Sequence, residues 1–409
     1  MKKLFALLLA ASMVLALSAC GGNAADSVEN VKIGMILSSD GTDPYEKSQL
    51  DGLSAALESN GMTREEHLLL KTGVTEADAC YNTCAELAKA GCIVIFVTSN
   101  TYQAAVEKAA AEFAAVQFVS ILGNTAALSG LDNLSNGYNR IHEARYVSGV
   151  VAGLKLAELD KAKQISKDGY DEAGNVKIGF VGAFPSAEVV SGYTAFYLGV
   201  KSAFSKVVMS VQYANTMDSA EEVTKATNTL IDQNCVIIGH HTNSSAVATA
   251  VQTALDGGKV VYCVGFQEDM LTAAPTAALT SAVHKWASYY TYAISQALKG
   301  DKIAINRAAG YDEGAVGIST LGPAAAGGTA DRLLSVESAL KDGSLQVFGT
   351  SSFTVGGEQL TSAMANVIPD ASFSPDTQVI ENGVYYESTH RAAPYFELRI
   401  DGIKELNAG

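Results

Sequence analysis

Two short stretches decide the fold: Val31-Lys-Ile-Gly-Met-Ile36 and, further along the chain, its near-repeat Val176-Lys-Ile-Gly-Phe-Val181. Each is a strand-length run of β-branched and apolar residues, and neither shows the spacing of an amphipathic helix. Such runs suit central strands of a parallel sheet that is covered by helices on both faces. The repeat implies that the chain builds one α/β unit and then begins another. Outward from the first stretch, the pattern predicts a helix over 44–59 with Asp43 as its N-cap. Strands at 67–71, 92–97 and 116–121 then alternate with helices at 76–90 and 102–113. An apolar helix at 144–159 and a loop at 161–175, rich in charge and glycine, separate the halves. Beyond the second stretch, helices at 186–204, 220–232 and 244–256 alternate with strands at 207–212, 235–238 and 260–264, and a further strand at 277–283 follows. This alternation defines an α/β fold with parallel sheets. Two such lobes would face each other across a cleft lined by the carboxyl ends of their strands, making a hinged trap for a small solute.

The amino terminus adds a location. Lys2 and Lys3 precede an apolar run over 4–17, which is shorter than the roughly 20 residues a permanent membrane helix needs. It fits the core of a secretory signal, with small residues before the cut. The ending Leu17-Ser-Ala-Cys20 resembles a bacterial lipobox, which implies a leader over 1–19, acylation of Cys20 and a membrane-anchored mature chain. Residues 20–30 read as a flexible tether. The remaining divisions are an N-terminal lobe over 31–140 and a C-terminal lobe over 141–282. Residues 283–409 are expected to supply a crossover helix and to complete both lobes and the hinge.

Composition narrows the function. With 48% hydrophobic and 17% charged residues, the chain has material for large cores. Its net charge of −15 opposes nucleic-acid binding, which requires a basic footprint. Neither a nucleophile elbow, a His-Glu-x-x-His motif nor a phosphate loop occurs, so no enzyme activity and no cofactor are expected. Cys80, Cys84 and Cys92 lack a second half-site for zinc, and no metal is expected. Export would permit a Cys80–Cys92 disulfide, whereas Cys235 and Cys263 read as buried thiols.

Several stretches resemble the basic membrane protein (Med) family of ABC-transporter substrate-binding lipoproteins. They are Glu143-Ala-Arg-Tyr-Val-Ser-Gly149, Gly239-His-His-Thr-Asn-Ser-Ser245, Gly265-Phe-Gln-Glu-Asp-Met270, Leu279-Thr-Ser-Ala-Val-His-Lys-Trp286 and Ala393-Pro-Tyr-Phe-Glu-Leu-Arg399. The resemblance implies a two-lobed type I periplasmic-binding-protein fold, with an ABC permease and ATPase as partners. It also implies a purine ligand: a nucleoside or, for the His-Thr-containing branch that this chain resembles more, adenine. A monomer is expected. A sensor lipoprotein for another solute, and more remotely a nucleoside-processing hydrolase, are the alternative readings.

A purine needs flat surfaces on its faces and directional partners at its edge. The candidates all follow strands. Tyr45 could stack on the base, and Asp43 could accept from an amino group or simply cap the helix. Asn100 offers both a donor and an acceptor, or caps a turn. Phe184 is a second stacking candidate, otherwise core. His241, Thr242 and Asn243 follow the 235–238 strand. Asp269 matches the acidic position that the family uses at its ligand, or serves its own loop. Trp286, the single tryptophan, would form a pocket wall or pack internally.

Overall fold

The computed structural model describes residues 28–368 and 374–408. Cys20, the leader and most of the tether therefore lie outside the described residues. Among those described, no helix is long and apolar enough to cross a membrane.

Strand β1 (Lys32–Ile36) and strand β6 (Val176–Gly182) are the two echoing stretches, and each sits inside its own sheet. Their shared glycine has a packing role. A Cβ at Gly34 would stand 3.0 Å from Leu87 Cδ1, and one at Gly179 would stand 2.9 Å from Leu230 Cδ1. Leu87 lies on α2 (Ala77–Lys89) and Leu230 on α6 (Ala220–Asp232). In both lobes the missing side chain lets a helix leucine rest on the strand, which explains why Lys-Ile-Gly recurs.

The first sheet also contains β2 (Leu68–Lys71), β3 (Cys92–Val97), β4 (Gln117–Ile121), β5 (Leu134–Asn139) and β11 (Asn306–Ala309). Its order is β11-β5-β4-β3-β1-β2, and every pairing is parallel. Helices α1 (Pro44–Ser59), α2, α3 (Gln103–Glu112) and α8 (Ala287–Lys299) cover it. The second sheet contains β7 (Val207–Tyr213), β8 (Ile237–His241), β9 (Tyr262–Phe266), β10 (Ala278–His284), β12 (Val316–Ile318) and β13 (Ile403–Glu405). Its order is β12-β10-β9-β8-β6-β7-β13, with β12 alone antiparallel. Helices α4 (Ile141–Lys161), α5 (Ala187–Ala203), α6, α7 (Ala246–Asp256) and α9 (Thr329–Lys341) pack around it.

Helix α4 begins three residues before the expected 144 and is buried along most of its length. It crosses α5 backbone to backbone. A Cβ at Gly149 would stand 2.1 Å from Phe196 O, and one at Gly199 would stand 2.0 Å from Tyr146 O.

The chain passes between the lobes three times: after β5, after β10 and after β11. These crossings are bound to each other. Arg140 donates from Nε to Glu143 (2.6 Å), from Nη1 to Ala308 O (2.7 Å) and from Nη2 to Asp312 (2.6 Å). Glu143 also accepts the backbone N–H of Tyr311 at 2.7 Å. Lys285 N donates to Ala315 O at 2.8 Å, which ties the second crossing to the third.

After α9 the chain wraps the second lobe, with Phe348 stacked on Phe396 (4.3 Å between ring centres). It ends as β13 on the outer edge of β7, covering backbone groups that an edge strand would leave open. Cys80, Cys84, Cys92, Cys235 and Cys263 are all free and buried, so the Cys80–Cys92 bridge is not formed.

The α4–α5 crossing leaves no room for a methyl group. Gly199→Ala is expected to destabilise the fold by about 1–3 kcal/mol in urea denaturation. Gly327→Ala, with nothing near its Cβ position, should stay within about 0.5 kcal/mol of the parent.

Candidate ligand-binding cleft

The carboxyl ends of the two sheets meet around a cavity of about 160 Å³. From the first lobe come Ser38 and Tyr45 after β1, residues 98–100 after β3, and Leu122 after β4. The second lobe contributes Glu188 in the first turn of α5, Met217 beyond β7, His241 and Asn243 at and after the end of β8, and Phe266 with Gln267 at the end of β9.

On the first-lobe side, Glu46 organises the wall. Its buried carboxylate accepts Ser38 N (2.6 Å), Ser38 Oγ (2.9 Å), Ser39 N (2.8 Å) and Thr98 Oγ1 (3.2 Å). One side chain thus binds the loop after β1 to the end of β3. The Tyr45 hydroxyl donates to Thr98 O at 2.7 Å, which holds its ring at the cleft.

On the opposite side the wall rests on Arg145, which reaches from α4 and is fully buried. Its Nη1 donates to His240 O at 2.7 Å, and its guanidinium lies 3.8 Å from the Phe266 ring centre. Burial lowers its pKa to about 9, with Glu188 opposing that shift, so it stays cationic at neutrality. Three imidazoles surround it. Burial, reinforced by the Arg145 charge, lowers His240 and His284 to about 3 and holds His241 well below its ordinary value. All three are neutral near pH 7. The His241 ring centre is 4.4 Å from that of Phe266, and its Nε2 is 3.7 Å from Glu188 Oε1. Burial raises the Glu188 carboxyl to about 7; Arg145 pulls it down and Glu387 pushes it up.

Unmet polar groups occur here, as they do elsewhere among the described residues. His241 Nδ1, Asn243 Oδ1 and Gln267 Oε1 are buried without a hydrogen-bond partner, and no protein donor reaches the Glu188 carboxylate among the described residues. Buried polar atoms are seldom left unsatisfied, so those that line this cleft are available to a polar ligand.

The nine candidates from the sequence divide. Tyr45, Asn100, His241 and Asn243 come together in the lining. The other five lie outside it. The Asp43 carboxylate is used by its own turn, accepting Glu46 N at 3.0 Å and the Ser39 hydroxyl. Thr242 is fully buried, with Oγ1 3.1 Å from His240 Nδ1, so it supports a neighbour instead of the cavity. Phe184 is 44% exposed and lies beyond the lining. Asp269 is exposed and accepts Leu271 N at 2.8 Å. The positive φ of Gln267 (69°) turns the chain sharply after β9, leaving Gln267 in the cleft and Asp269 outside. Trp286 is buried at the second crossing, stacked on His284 (4.9 Å, 18°) and backed by Gly52.

The lining also contains Glu188, Phe266 and Gln267, which sequence reasoning did not name. The echo between halves holds a signal for Glu188. Pro44-Tyr-Glu46 opens the helix after β1, and Pro185-Ser-Ala-Glu188 occupies the corresponding place after β6.

Two parallel-sheet lobes, three bound crossings and a polar cleft between strand ends define a solute-binding protein of the two-lobed periplasmic type. The chain belongs to the Bmp family of PnrA-like ABC transporter substrate-binding proteins, which matches residues 30–337. Proteins of this family work outside the cytoplasm with a permease and an ATPase, and they are not enzymes. A purine-binding protein of Brucella abortus is 31% identical over 295 residues, covering 72% of this chain and 77% of its own. A Haloferax volcanii protein named for glucose binding in an ABC transporter is 25% identical, covering 71% and 68%. In fold, the chain is similar to an ABC transporter solute-binding protein of Aeropyrum pernix, with a TM-score of 0.62 at 13% identity, covering 80% and 94%. A Conexibacter woesei solute-binding protein gives 0.60 at 16% identity, covering 77% and 98%.

The histidine cluster sets a pH response. His240, His241 and His284 have folded pKa values below the unfolded value of about 6.5. Their contribution to stability is therefore full above that pH and is lost as pH falls toward the folded values. Glu188 acts in the opposite sense, because its folded carboxyl holds a proton that the unfolded one releases between about pH 7 and pH 4.3. Between about pH 6 and pH 5 the cluster should take up about two protons on unfolding, costing about 1.4 kcal/mol per proton per pH unit. His284→Gln should reduce that slope by about one proton in denaturation curves at the two pH values; an unchanged slope would contradict the assignment.

Proposed function

We propose that the cleft takes a free purine base of adenine size, and that the chain, anchored through an acylated Cys20 and acting as a monomer, delivers this base to an ABC permease. The supporting observation is the combination found within one small space. Tyr45 brings a ring from the first lobe, His241 and Phe266 bring rings from the second, and an unpaired carboxyl with three carboxamides lies among them. Planar surfaces suit the faces of a heteroaromatic base, and carboxamides suit an edge that alternates donors and acceptors.

The small cavity, near 160 Å³, and the resemblance of Gly239-His-His-Thr-Asn-Ser-Ser245 to the adenine-binding branch support the base over its nucleoside. The name of the Brucella relative supports the purine class, and that of the Haloferax relative makes glucose the natural competitor to test. In mechanism, ligand contacts made by both lobes stabilise the closed form over the open one. The population shift equals the difference in affinity for the two forms. The lipobox-like Leu17-Ser-Ala-Cys20 supports an anchor that would keep the closed form beside its permease.

Calorimetric titration tests this reading. Adenine should bind one to one, adenosine more weakly and glucose not at all. Tyr45→Ala should weaken adenine binding by about 1–3 kcal/mol through lost stacking, whereas Asp269→Ala should leave it unchanged. Glucose binding without purine binding would overturn the proposal. Cys20→Ala should release the chain from the membrane fraction of expressing cells.

A further inference from the structure

We propose that Glu188 reads the substituent on the edge of the bound base, and that its protonation switches the cleft between amino-substituted and oxo-substituted purines; this rests on the purine reading above. Glu188 lines the cavity from the first turn of α5, and its side chain keeps 26% exposure. His241 Nε2 lies 3.7 Å from its Oε1, beyond hydrogen-bond reach. Asn100, Asn243 and Gln267 each carry a donor and an acceptor on one carboxamide, so they can satisfy either kind of edge. A carboxylate only accepts, whereas a carboxylic acid also donates. Glu188 is thus the lining carboxyl, and its hydrogen-bonding character changes with its proton.

Charged and titratable groups surround it on several packed elements, and Glu46 on α1 lies behind the facing wall with its oxygens taken by Ser38, Ser39 and Thr98. Arg145 from α4 stays cationic below about pH 9. His240 and His241 on β8 and His284 on β10 stay neutral above the range of their lowered values. Tyr45 on α1 and Tyr138 on β5 are raised by burial and remain neutral phenols. Glu387, from the segment that wraps the second lobe, is pushed up by burial. His142 and the Ser191 hydroxyl outweigh that and hold it below the ordinary carboxylate range, so it remains an anion. Between about pH 5.5 and pH 8, Glu188 is then the group lining the cavity whose charge changes.

The chemistry follows. An amino group on the base donates to the ionised carboxylate, so binding of an amino-purine draws the carboxyl toward ionisation and strengthens as pH rises through neutrality. A ring carbonyl needs the protonated acid as its donor and is repelled by the carboxylate, so binding of an oxo-purine weakens over the same range. Each trend is the linkage of one proton to one ligand.

The test is calorimetry of adenine and of hypoxanthine at about pH 5.5 and about pH 8, with wild-type protein and Glu188→Gln. In the wild type, adenine affinity should rise roughly tenfold and hypoxanthine affinity should fall roughly tenfold between the two conditions. In Glu188→Gln both should become independent of pH, with hypoxanthine still accepted by the amide N–H. Parallel pH trends for the two bases, or opposite trends that survive in Glu188→Gln, would overturn the inference while leaving purine binding intact. If neither base binds the wild type at either pH, the purine reading fails and this inference fails with it. Should the variant fold poorly by thermal melting, the two-base comparison in the wild type still decides.

Discussion

The first turn of α4 carries the constraint on which the rest of the structure depends. Glu143 and Arg145, two residues apart, are both buried charges, and each needs partners to offset its desolvation. Glu143 finds them at the crossings, in Arg140 and the backbone of Tyr311. Arg145 finds them beneath the cleft, in His240 O and the face of Phe266. One helix start therefore bonds to the hinge on one side and to the floor of the ligand site on the other. Gly310 shows how closely the hinge is fitted: a Cβ there would stand 2.3 Å from Glu143 Oε2.

From this start the two lobes diverge in character although they share a plan. The first lobe holds its wall with an anion, Glu46, fully occupied by serine and threonine donors. The second rests its wall on a cation, Arg145, whose Nε and Nη2 have no protein partner. The first wall is therefore internally satisfied, while the second has unused hydrogen-bonding capacity around the cavity. Such an arrangement favours closure on a ligand with polar edges, because the ligand replaces contacts that the protein alone does not make. Three crossings tied to one another by these bonds join the lobes.

Much of the fold was legible in the sequence because its signals were local. The Lys-Ile-Gly echo marked both central strands, and Asp43 marked the start of α1, where it does cap the helix. Strand β5 was not legible, because Leu134-Ser-Asn-Gly-Tyr-Asn139 is polar in composition yet wholly buried. Its side chains find distant partners, such as Asn306 for Asn136 and Ile303 O for Ser135. The short strands after α9 carry no periodicity and depend on long-range packing of Phe348, Tyr385 and Phe396. Of the candidates, Tyr45, Asn100, His241 and Asn243 reach the cavity lining, because they lie at or beyond strand ends. Asp269 lies outside that lining, past the positive φ of Gln267. Glu188 was concealed for another reason: an acidic residue in a first helical turn reads as a partner for the helix dipole.

In the proposed closed form the two walls hold a purine base, with rings from both lobes against its faces and Glu188 at its edge. A crystal structure of the protein grown with adenine tests it most directly. The base should lie between Tyr45 on one side and His241 and Phe266 on the other, with its exocyclic amine within hydrogen-bond distance of Glu188. Adenine bound elsewhere, or in the cleft with its amine directed away from Glu188 and toward solvent, would contradict it.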